Sequence, residues 1–148
     1  MQFRLRTLLI VTAWAGLAFL GLRSPSPVTS GIITTVTLVT ILLAVLVTIY
    51  RTGTSRAMAT GYLVFCVGYL VHTTLIATWM SEAMSGGATT PWALFFALFE
   101  LIHQPTNEAR SNFATIGHNA LSCILGLAGA FTAQGLYQRQ DNNEVRPS

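Results

Sequence analysis

The chain has 148 residues, of which 52% are hydrophobic and 9% charged, and its mean hydropathy is +0.57; a soluble domain carries about 25% charged residues, so a soluble globular fold does not fit. The formal charge of +3 comes from arginine alone, eight residues with no lysine, and their dispersal argues against a nucleic-acid partner, which needs basic residues clustered on one face. Membrane topology is the pattern they follow.

Residues 1–6 form a short basic head, followed by the apolar run 7–22 and then by Arg23-Ser-Pro-Ser-Pro27. A basic head before an apolar run also describes a secretory signal, but no small-x-small cleavage site separates the run from the next charge. An uncleaved first span is expected. At about 24 Å it is shorter than the roughly 30 Å hydrocarbon core, so Arg6 and Arg23 must snorkel toward the headgroups. The two prolines stop the helix.

Residues 31–50, GIITTVTLVTILLAVLVTIY, carry no charge and contain twelve Ile, Val and Leu. About 20 apolar residues suffice to cross a bilayer, and those twelve contribute roughly −4 to −7 kcal/mol on an insertion scale. This is the second span and the strongest membrane signal in the chain. Thr37, Thr40, Ala44 and Thr48 recur at helical spacing and predict a narrow stripe of small side chains suited to close helix contact. For any one threonine, a bond to its own backbone is the competing reading. Arg51-Thr-Gly-Thr-Ser-Arg56 predicts a tight antiparallel link, with Gly53 as a left-handed cap and Ser55 as the next N-cap.

Residues 57–79 are the expected third span. Ala57, Gly61, Gly68 and His72 are separated by four, seven and four residues, which predicts one face and places the histidine against protein. A Gly-Gly loop follows. Residues 91–103, PWALFFALFELIH, are predicted helical, with Thr90 as cap, Pro91 at the first position and Pro105 beyond the end. At about 18 Å the apolar part is too short to span, so it is expected to lie in the outer interface, with a fifth span as the alternative.

Residues 112–137 are the last expected span, with a second small-residue stripe at Ser122, Gly126, Gly129, Ala130 and Ala133 and with His118 one turn before Ser122. Residues 138–148 are polar and expected to be a disordered cytoplasmic tail. Four spans put Arg4, Arg6, Arg51, Arg56, Arg139 and Arg146 on one side and only Arg23 and Arg110 on the other, so both termini are expected in the cytoplasm. Tyr50, Tyr62 and Tyr137 fall at the inner boundary of this register and Trp79 and Trp92 at the outer one. Trp14 does not fit the belt.

Phe3-Arg-Leu-Arg-Thr-Leu-Leu9, Ile116-Gly-His118 and Leu136-Tyr-Gln-Arg139 resemble the opening and closing stretches of a group of small bacterial multi-pass inner-membrane proteins, which open with Phe-x-Leu/Ile-Arg-x-Leu-Leu and end on a span beginning Ile-Gly-His. The resemblance implies an inner-membrane topology and no particular activity.

No Gly-rich phosphate loop, His-Glu-x-x-His or Cys-x-x-Cys occurs, so the common catalytic motifs are absent. Cys66 and Cys123 lie in apolar runs and read as small buried hydrophobes. Intramembrane histidines are the remaining candidates for chemistry. His72 and His118 fall at comparable depths from the outer surface, and two facing imidazoles are what an axially ligated haem or shared metal requires. Neither has a thiol or carboxylate on its own helix face to complete a metal site. They are therefore expected to be structural and neutral, with Asn119 as a hydrogen-bond partner for His118. Glu100 and His103, three residues apart, are half of a di-metal motif and otherwise mark the polar face of the short helix. The whole reads as an all-α integral membrane bundle of four transmembrane helices plus a short outer-face interfacial helix. It is expected to be non-enzymatic and without cofactor, packing with itself or with a membrane protein partner. A haem-binding electron carrier and a small transporter subunit are the alternatives.

Overall fold

The computed structural model of the chain describes residues 5–83, 94, 97–101 and 107–144. Four long helices carry the described residues: α1 (Leu5–Arg23), α2 (Pro27–Tyr50), α3 (Gly53–Ala83) and α4 (Asn107–Glu144). Residues 94 and 97–101 are also helical. Among the described residues, three helices are long and apolar enough to cross a membrane, over Pro27–Tyr50, Gly53–Leu75 and Glu108–Asp141. The outward side of α2 exposes Leu38, Leu42, Leu43 and Ile49, a continuous apolar surface of the kind that lipid, not water, covers.

Polar chemistry at the helix ends sets several boundaries apart from those that apolarity alone predicts. α2 begins at Pro27, before the expected Gly31. Ser26 caps it: the Thr29 amide donates to Ser26 Oγ at 3.2 Å, and the Ser26 amide donates to Thr29 Oγ1 at 3.0 Å. This is a reciprocal capping box with Pro27 at the first helical position. Gly53 adopts φ +63° as expected of the link, but α3 already starts there, so Ser55 lies inside the helix and is not its cap. α4 continues past Tyr137 to Glu144, into the stretch expected as a disordered tail, because no glycine or proline interrupts Gln138–Glu144. Residues 145–148 lie outside the described residues, as does most of 91–103.

Contacts gather into two compact units, the first comprising Met1–Thr35 and Thr90–Ala120, the second Val36–Thr89 and Leu121–Ser148. In the first unit, Ala18, Ile33, Phe99, Phe113 and Ile116 are buried. A methyl group added at Gly21 would meet Ile33 Cδ1 at 2.7 Å and Ile116 Cδ1 at 3.4 Å, which places the end of α1 against α2 and α4. The Phe99 and Phe113 rings pack with centroids 5.3 Å apart, tilted at 53°, a favourable aromatic geometry.

In the second unit, Tyr62, Cys66 and Ala130 form the core, with Ile41 and Ala44 of α2 packed against them. α3 and α4 run antiparallel, since Gly53 approaches Tyr137, Gly61 approaches Gly129, and Cys66 approaches Gly126. The expected stripes face inward: Thr37 is buried with Thr40, Ala44 and Thr48 half-buried, and Ser122, Gly126, Gly129 and Ala130 are buried. Thr40 and Thr48 bond back to Val36 O and Ala44 O. Only Thr37 among the three reaches across to another helix in a described bond.

Candidate functional site

On α3, Ala59, Gly61, Tyr62, Cys66 and Thr73 are buried. On α4, the buried positions include Ile116, Asn119, Ser122, Cys123, Gly126, Gly129 and Ala130. Within the second unit these inward faces bring Tyr62 and Cys66, one turn apart on α3, to the level of Ser122 and Cys123 on α4 and of Thr37 on α2.

The result is a buried polar knot within the second unit. The Tyr62 hydroxyl donates to Cys123 Sγ at 3.5 Å, and Thr37 Oγ1 lies 3.8 Å from the same sulfur. The Cys66 thiol is in hydrogen-bonding reach of Cys123, Ser122 and Tyr62. Both cysteines are free thiols, and Cys66 and Ser122 have no exposed surface. Thiols act as small apolar groups with weak hydrogen bonds, so the knot satisfies buried hydroxyls at little cost in packing and pins three helices in one register.

Sequence reasoning treated the two cysteines singly and missed this convergence. The signal was present in a depth count. Thr37 lies thirteen residues before Tyr50, Cys66 thirteen after Gly53, and Cys123 fourteen before Tyr137. Tyr62, expected at the inner interface, is instead 7% exposed and part of this core, whereas Tyr50 and Tyr137 are exposed.

The two histidines have opposite surroundings in their own units. His118 is buried in the first unit at 5% exposure. Its neighbour Asn119 donates its amide to Thr34 Oγ1 at 3.1 Å and to Thr115 O at 2.9 Å. His72, in the second unit, is exposed, as is Gly68 one turn before it. This corrects the expectation that Ala57, Gly61, Gly68 and His72 share a protein-facing side. Small size at helical spacing does not by itself fix the buried side: at this level Thr73 takes the buried position and His72, about 100° around the helix, turns outward beside it. His72 borders a shallow groove of about 430 Å³ lined by Val64, Phe65, Gly68, Tyr69 and Leu125.

Glu100 is paired with Arg110, Oε1 to Nη2 at 2.9 Å, which gives the carboxylate a structural partner. His103 lies outside the described residues. Among the described residues, no group of three or more His, Cys, Asp and Glu is placed to hold a metal ion. Comparison with known protein families, with curated proteins and with solved structures finds no match.

Proposed function

We propose that this chain is a small non-enzymatic inner-membrane protein of four spans, α1 to α4, with both termini cytoplasmic and residues 91–103 lying in the outer interface. Its role is to pack with itself or into a larger membrane complex. At 19 residues, α1 is about 28 Å long, close to the hydrocarbon thickness, and Arg23 in its last turn suits both the helix dipole and an interfacial position. The Leu94, Leu98 and Leu101 side chains are exposed at spacings of four and three, a stripe fit to rest on acyl chains.

One observation carries the packing role. His72 sits on the outer side of α3 in an apolar groove beside Gly68, where an added methyl would meet nothing within 4 Å. An ionisable side chain facing hydrocarbon is costly. A partner helix seated over Gly68 relieves that cost, and small residues are where such helices approach. The inward stripes of α2 and α4 are already used inside the chain, so association falls to this outward face.

The oligomeric size of the detergent-purified protein, compared with that of Gly68→Leu, tests the proposal. The wild type is expected as an oligomer or complex, and the variant as a monomer of unchanged helical content. Monomers in both cases, with no cross-linked partner in native membranes, would contradict it. A stoichiometric haem band lost in both His72→Ala and His118→Ala would instead favour the electron carrier.

A further inference from the structure

A second groove, of about 670 Å³, runs along the contact of α3 and α4 at the end of the second unit where Gly53 approaches Tyr137. Its floor is built from Gly61, Gly129 and Ala133, where the two backbones approach so closely that no larger side chain fits between them. Val64, Phe65 and Leu136 give it apolar walls, and Arg56, Tyr137 and Gln140 line it toward the Gly53 end. From Gly53 to Phe65 the groove follows α3 for roughly 18 Å. It is polar and cationic at one end and mostly apolar along the rest, with Thr60 and Thr132 on its walls.

We infer that this groove binds one anionic phospholipid, with the phosphate at Arg56 and an acyl chain lying over Gly61 and Gly129 between Phe65 and Leu136. Charge complementarity commits the groove to this occupant. Arg56 is exposed and makes no ion pair with the described residues, and Arg51 and Arg139 stand exposed at the same end of the unit. Three arginines without a lysine suit a phosphate, which guanidinium grips in a fork. The N-terminus of α3, a 31-residue helix, adds its positive dipole to the Gly53 end. By the arginine bias this end faces the cytoplasmic leaflet, whose anionic lipids attract such clusters. The Thr132 hydroxyl on the groove wall is spent on Ala128 O at 2.9 Å, so it needs no partner from the acyl chain. A second copy of the protein is the competing occupant, but its helix would have to cover unpaired arginines with an outer surface that offers apolar side chains.

The test is thermal stability and retained lipid of the detergent-purified full chain, titrated with dioleoylphosphatidylglycerol, dioleoylphosphatidylcholine or inorganic phosphate. Phosphatidylglycerol is expected to raise Tm and to co-purify after detergent exchange, while phosphatidylcholine and phosphate do neither. Arg56→Gln should weaken retention roughly tenfold, the loss of about one charge-assisted hydrogen bond. Thr132→Trp should fill the groove and expel the lipid. Equal responses to the two lipids, a full response to phosphate alone, or retention unchanged in both variants would overturn the inference. The wild-type titrations decide it even where a variant does not fold.

Discussion

At Gly61 and Gly129 the distance between α3 and α4 is set by the absence of two side chains. A Cβ on Gly129 would stand 2.5 Å from Gly61 O and 2.5 Å from Phe65 Cδ2. The carbonyl is backbone and cannot swing aside, so Gly129→Ala is expected to cost about 1–3 kcal/mol of overpacking. Gly126→Ala meets the Tyr62 ring at 2.7 Å and Cys66 Cβ at 3.0 Å but no backbone atom among its nearest contacts, and should cost less because side chains can shift. Gly135→Ala meets nothing within 4 Å and should be neutral or stabilising by up to about 1 kcal/mol, since alanine favours the helix. Unfolding midpoints in one detergent give the order directly; equal losses at 129 and 135 would mean that the backbones are not in contact. Tyr62→Phe removes the bond to Cys123 and keeps the ring, so a loss of about 0.5–1.5 kcal/mol is expected. A change far above that would show the hydroxyl holding more than Cys123.

Among the elements, α2 is the one whose core was most legible and whose start was least. Its uncharged run announces a span, and Thr37, Thr40, Ala44 and Thr48 announce the inward side, because burial and small size follow helical spacing directly. Its first turn lies in the polar Ser-Pro stretch, where apolarity carries no information and cap chemistry decides. Ser26→Ala is expected to cost about 1 kcal/mol and to speed hydrogen exchange at residues 28–30, leaving α3 unchanged. Uniform acceleration along all helices would contradict a local cap. His72 shows a second limit. Gly61 is buried against α4 while Gly68 and His72 are exposed, because small residues mark where a helix can approach and not where one does. The Cys66 and Cys123 contact was hidden for another reason: it joins positions 57 residues apart (123 − 66), and a single helix carries no trace of its partner.

For the molecule as a whole, three helices of sufficient length and apolarity, with α2 clothed in exposed leucine, valine and isoleucine, make a membrane location the coherent reading. The fourth span and the orientation rest on the length of α1 and on six arginines against two. Within the second unit the helix ends carrying Arg51, Arg56 and Arg139 lie together, which is the arrangement the rule requires of one cytoplasmic side. The leaflet proposed for the lipid and the outer-face position proposed for residues 91–103 both depend on that orientation. Topology reporters inserted after Arg56, after Gly87 and after Ser148 test it most directly. The account predicts cytoplasmic signals after Arg56 and Ser148 and the opposite side after Gly87; a cytoplasmic signal after Gly87 would contradict it.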